Sequence, residues 1–195
     1  MPSFGKRLAA EFESEFARLA NDWFSRWHAL TRGEPTELDD FRGGLLQPPS
    51  KAFDAATEHV YWATMRRYID CKITEVFRRI EHEIRLQGSD RATRTVEEST
   101  IALRSFLERL YRYAVFTEYR LRKRGYPDER HLAGRRDTIA LTDIQRRKVE
   151  LLEKYRSTPW RWRVVEAVTD TIDQRLVGTA AFVLMMGSGF MILLR

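Results

Sequence analysis

The amino-acid sequence predicts an all-α protein, in which several long amphipathic helices form an extended bundle and a single transmembrane helix follows at the C-terminus. Apolar residues recur every three or four positions through most of residues 3–156, and no stretch alternates as a strand does. From Leu176 to Leu194 the chain carries no charged residue, although its net charge is +6. We therefore expect a helical domain over residues 1–157, an amphipathic juxtamembrane helix over 158–175 and a transmembrane helix over 176–194.

The first helix is predicted from about Ser3 to Arg32, because a row of apolar side chains shares one helical face. Gly33 and Pro35 are expected to end it. The expected inner face consists of Phe4, Leu8, Phe12, Phe16, Leu19, Trp23, Trp27 and Leu30.

The second helix is predicted from Lys51 to Gln87, with Ser50 as its N-cap and Gly88 as its stop. Such a helix would be about 55 Å long, so we expect it to project beyond its own core toward a partner. Cys71 lies beside the apolar stripe and is expected to be a small buried residue. The expected stripe consists of Phe53, Ala56, Val60, Met65, Ile69, Ile73, Val76, Ile80 and Ile84.

Two further helices are predicted before the apolar segment. One covers about Thr95 to Arg124 and ends at Gly125 and Pro127. The other is short, from Asp143 to Arg156, and begins at a Thr142 capping box. The inner face of the longer helix is expected to consist of Leu103, Phe106, Leu107, Leu110, Ala114 and Leu121.

The strongest signal is the apolar segment, residues 176–194. Its 19 residues would form a helix of about 28 Å, close to the thickness of a bilayer core. Apolar side chains cover every face of that helix, which favours a membrane span over the central helix of a soluble bundle. Small residues on one stripe indicate helix packing within the membrane, although they also occur in membrane helices without such a role. They are Gly178, Ala181, Ser188 and Gly189.

A tryptophan–arginine cluster precedes the apolar segment and indicates either lipid headgroup contact or a protein contact. It lies about 24 Å of helix before Leu176, so lipid contact requires the juxtamembrane helix to lie along the surface and bend near Arg175. Its residues are Trp160, Arg161, Trp162 and Arg163. Several arginines lie on the N-terminal side of the apolar segment, whereas only Arg195 lies on its C-terminal side. This distribution predicts that the helical domain faces the cytoplasm or the mitochondrial matrix.

We find no pattern that predicts catalysis, a metal site or a cofactor. None of His28, His59, His82 and His131 belongs to a metal-binding motif, and no phosphate-binding or nucleophile motif is present. The basic stretch over residues 120–136 contains acidic residues and no nucleic-acid-binding motif. An acidic protein partner or anionic membrane lipid is therefore the better expectation.

These features together predict a non-catalytic, single-span accessory subunit of a multi-subunit energy-transducing membrane complex, either the mitochondrial respiratory chain or ATP synthase. Its expected role is assembly and structural stabilisation, in the mitochondrial inner membrane or, as the alternative, a bacterial inner membrane. A tail-anchored bacterial effector or regulator is a second interpretation. A soluble helical scaffold whose apolar C-terminal helix is buried by a partner is the third.

Overall fold

A computed structural model describes residues 2–34, 36–41, 43–46, 48, 52–88, 91–122 and 138–157. The described part of the chain is all-α apart from one two-residue antiparallel ladder, which pairs Leu38 with Leu46 and Asp39 with Leu45. Residues Met1–Leu152 form one compact unit, within which the helices pack against one another. In chain order the elements are α1 (Phe4–Asn21), α2 (Trp23–Thr31), β1 (Leu38–Asp39), β2 (Leu45–Leu46), α3 (Ala55–Gln87), α4 (Ala92–Leu121) and α5 (Thr138–Ser157).

Helices α1, α3 and α4 form the bundle, with α1 parallel to α4 and α3 antiparallel to both. The rings of Phe12 and Phe106 stack with centroids 4.5 Å apart between α1 and α4. The Tyr61 hydroxyl donates to the Ala114 carbonyl, 2.8 Å away, between α3 and α4. Because α1 and α4 run side by side without being adjacent in sequence, α3 returns the chain to the end where α1 begins.

The prediction of one helix over residues 3–32 is wrong at Asp22, where the chain kinks between α1 and α2. Asp22 keeps a backbone hydrogen bond to the Arg18 carbonyl, and its side chain pairs with Arg26 at 2.5 Å. Asn and Asp are poor residues for a helix interior, since their side chains compete for backbone groups. The kink turns Trp23 and Phe24 into the core, where both are almost fully buried.

Helix α3 begins four residues later than predicted, because Asp54 and not Ser50 is its N-cap. The Asp54 carboxylate accepts a hydrogen bond from the Thr57 backbone amide at 2.8 Å. The predicted stop at Gly88 is confirmed by that residue's φ of 83°, which favours glycine. The 33 residues of α3 give a helix of about 50 Å.

The buried face of α3 agrees with the predicted stripe only from Met65 onward. In the first three turns Ala56 is exposed, whereas Thr57, Tyr61 and Thr64 are buried. The Tyr61 ring packs there against the aromatic side chains of α2, with centroids 5.1–6.4 Å away. Cys71 is exposed, so the expectation that it is buried is wrong.

Helix α4 confirms its predicted inner face, since all six predicted residues are buried. It starts and ends three residues before the predicted bounds. Helix α5 begins five residues before the predicted start, which places Thr142 inside the helix and not at its N-cap. Ala140, Ile144 and Leu151 form its buried side.

Within the described ranges, no helix is both long enough and apolar enough to cross a bilayer. The predicted juxtamembrane helix over 158–175 and the predicted transmembrane helix over 176–194 lie outside the described residues.

Candidate functional site

A cavity of about 310 Å³ lies between the middle of α3 and the hairpin formed by residues 38–46. The hairpin side contributes Asp39, Phe41 and Gly43. The α3 side contributes four residues at helical spacing, so that they share one face. These are Tyr68, Cys71, Lys72 and Glu75.

The hairpin holds its tip in an uncommon backbone conformation. Phe41 has a φ of 60°, which is rare for a residue with a bulky side chain. The Asp39 carboxylate accepts a hydrogen bond from the Phe41 amide at 2.6 Å, and the Phe41 ring lies 4.8 Å from the Tyr68 ring. Trp23 donates from its indole nitrogen to the Asp39 carbonyl at 3.2 Å. The hairpin is therefore fixed to both α2 and α3.

Lys72 and Tyr68 are two of the polar side chains that line this cavity, and both are held in their protonated forms. Burial alone would lower the pKa of Lys72, but hydrogen bonds to Glu75 (2.7 Å) and Glu15 (2.9 Å) outweigh burial and raise it. Burial, together with a 2.6 Å hydrogen bond to Glu15, raises the pKa of the Tyr68 hydroxyl. A charged ammonium and a protonated phenol at neutral pH join α1 to α3 and do not provide a general base.

A second cluster lies where α4 ends, around the carboxylate of Glu118, whose side chain is only 2% exposed. Trp62 donates to Glu118 from its indole nitrogen at 3.1 Å. The Arg122 guanidinium contacts Glu118 at 3.1 Å and also pairs with Glu58. A buried charge is tolerated only when it is paired in this way, so the cluster locks the end of α4 to the beginning of α3.

His28 lies near the same end of the bundle and faces two arginines. Burial lowers the pKa of this histidine, and the positive charges of Arg120 and Arg32 lower it further. The imidazole is therefore neutral at neutral pH. It takes up a proton only at a lower pH than an ordinary histidine does.

The described residues hold no group of three or more His, Cys, Asp or Glu side chains placed to bind a metal ion. His59 and His82 are exposed on α3, and His131 lies outside the described ranges.

The sequence-predicted site residues all belong to the part of the chain that the structure does not describe. The lipid or protein interface consists of Trp160, Arg161, Trp162, Arg163 and Arg175, and the membrane packing stripe consists of Gly178, Ala181, Ser188 and Gly189. Sequence reasoning missed the residues of the two clusters above. Of these, only Tyr68 continues a helical stripe, since Thr57, Tyr61, Thr64 and Tyr68 follow one another at spacings of four, three and four. Apolar periodicity does not reveal this stripe, because it consists of hydroxyl-bearing side chains.

No protein family, no curated protein and no solved structure matches this chain.

Proposed function

We propose that the chain is a non-catalytic, single-span accessory subunit of a multi-subunit energy-transducing membrane complex, and that it acts in assembly and structural stabilisation. The observation that carries the proposal is the uncharged apolar segment, residues 176–194. Its length matches a bilayer core, and Arg175 and the tryptophan–arginine cluster precede it.

The bundle supports the same proposal, because its polar groups join helices to one another. Lys72, Tyr68 and Glu118 each bridge two helices. Ion pairs on the surface of the bundle also join α1 to α3, as between Arg79 and Glu11 at 2.7 Å. Such a bundle is a rigid platform that an assembly can hold on the matrix or cytoplasmic side of its membrane.

The test is purification of the full chain from its native membrane in a mild detergent, followed by native gel separation and identification of the co-migrating proteins. We expect the chain in one large hetero-complex, together with subunits of the respiratory chain or ATP synthase. Isolation without other subunits would overturn the accessory role and favour a membrane effector or regulator.

A matched pair of variants tests whether the apolar segment carries the association. Leu184→Asp places a carboxylate at the middle of the segment, at a cost of about 3 kcal/mol for membrane insertion. Leu86→Asp makes the same substitution on α3 at a side chain that is 70% exposed. We expect the first variant to lose the complex and the second to keep it. Retention of the complex by Leu184→Asp would show that the apolar segment does not carry the association.

A further inference from the structure

An apolar groove of about 500 Å³ lies between the parallel helices α1 and α4. The stacked rings of Phe12 and Phe106 belong to its lining, and small residues line the rest of its length. These small residues are Gly5, Ala9, Ala102 and Ser105. Because these side chains are small, the groove has room for an apolar side chain of another molecule.

Ile101 also lines this groove, and 65% of its side chain is exposed to solvent. It is one of the few large aliphatic residues that the described part of the chain leaves exposed. Covering such a side chain contributes about 1.5–3 kcal/mol of transfer free energy. One face of the bundle therefore carries both an apolar recess, which is the groove, and an exposed apolar side chain, which is Ile101.

The charged residues of the groove alternate in sign around its rim. Lys6 and Glu98 stand opposite each other at one end, where α1 and α4 approach at Gly5. Glu13 and Arg109 stand opposite each other at the other end and form an ion pair. Each helix therefore contributes one lining charge of each sign, in opposite order, and these four charges sum to zero. Arg94, which pairs with Glu98 at 2.7 Å, is not among the residues that line the groove.

A rim of this pattern is complementary to itself. A two-fold axis along the groove would place Lys6 of one copy against Glu98 of the second, and Glu13 against Arg109. Every rim contact would then join opposite charges, which favours pairing and fixes its register. Binding of the groove to an anionic lipid surface would instead require a rim with net positive charge.

We propose that the α1–α4 groove is a homodimer interface whose occupant is a second copy of this chain, with Ile101 of each copy covered by the other. This adds a stoichiometry to the proposed accessory subunit. It concerns residues of the bundle and does not depend on the apolar segment.

The test begins with the mass of the full chain in detergent, measured by analytical ultracentrifugation over a range of concentrations. We expect a dimer that dissociates on dilution. Ile101→Asp would place a carboxylate in the interface and raise the dissociation constant at least about tenfold. The control Leu86→Asp changes an exposed residue of α3, outside the groove, and should leave the dissociation constant unchanged. A monomer at every concentration, or an undiminished Ile101→Asp dimer, would overturn the proposal.

A charge exchange then distinguishes a second copy from any other occupant. Lys6→Glu and Glu98→Lys each create like charges across the two-fold axis, so each variant alone should be monomeric. Mixing the two variants restores opposite charges and should restore a dimer that contains one of each. Arg85→Glu, on α3 outside the groove, should remain dimeric. A mixture that stays monomeric would show that the groove does not pair with itself.

The dimer and the accessory role can fail separately. A native hetero-complex containing one copy of the chain would refute the dimer and leave the accessory role standing. A homodimer isolated without other subunits would support the dimer and refute the accessory role.

Discussion

Gly5 lies where α1 approaches the Glu98 backbone of α4 closely, and its replacement by alanine should destabilise the bundle. A Cβ atom added at Gly5 would lie 2.5 Å from the Cβ and 2.9 Å from the backbone carbon of Glu98. Neither atom belongs to the far end of a flexible side chain, so the two helices must move apart. Overpacking of this kind costs about 1–3 kcal/mol of unfolding free energy.

Helix propensity acts in the opposite direction, because alanine is better than glycine in a helix by up to about 1 kcal/mol. Subtracting the propensity gain of about 1 kcal/mol from the steric cost of about 1–3 kcal/mol leaves a net loss of about 0–2 kcal/mol of unfolding free energy for Gly5→Ala. For a protein of this size that lowers the unfolding temperature by up to roughly 8 °C.

The assay is thermal unfolding of the full chain in detergent, followed by circular dichroism at a helical wavelength. Ala10→Gly, at an exposed position of α1, measures the propensity contribution alone and should destabilise by about 1 kcal/mol. If Gly5→Ala raised the unfolding temperature, propensity would dominate and the close approach of α1 and α4 would be refuted.

Three further substitutions test the other contacts. Tyr61→Phe removes the donor to the buried Ala114 carbonyl and should cost about 1–2 kcal/mol in thermal unfolding, whereas an unchanged unfolding temperature would argue against that hydrogen bond. Glu118→Leu leaves Arg122 without its buried partner and should cost about 2–3 kcal/mol, and a neutral or stabilising effect would show that the ion pair does not hold α4. The lowered pKa of His28 means that the unfolded chain binds a proton near pH 6.5 while the folded chain does not, so stability should fall as the pH drops below that value. In His28→Gln this loss of stability below pH 6.5 should disappear. If the stability of His28→Gln varied with pH as that of the unsubstituted chain does, the lowered pKa of His28 would be contradicted.

The inner face of α4 could be predicted from the sequence because its buried residues are aliphatic or aromatic at strict helical spacing. Leu103, Phe106 and Leu110 are examples, and each is buried as expected. In such a helix the hydrophobic effect alone determines the orientation. The glycine stops at Gly33 and Gly88 were also predictable, because both require a positive φ.

The beginning of α3 could not be predicted by the same reasoning. Tyr61 and Tyr68 are buried with their hydroxyl groups bonded to partners on other helices, more than fifty positions away in the sequence. Local periodicity carries no information about such partners. The kink at Asp22 also depends on tertiary packing, because only the folded bundle shows that Trp23 and Phe24 both face the core.

The candidate clusters were the least predictable part. The burial of Glu118 depends on Trp62 and Arg122, which contact it only after α3 and α4 pair. The cavity beside Lys72 depends on a hairpin whose strands are two residues long. Strands this short leave no alternating pattern in a sequence.

The proposed membrane span over residues 176–194 is tested most directly by flotation of alkali-extracted membranes on a density gradient. We predict that the full chain floats with the lipid after carbonate extraction, and that a chain truncated after Arg175 stays at the bottom with the soluble proteins. Recovery of the full chain among the soluble proteins would contradict the span over residues 176–194.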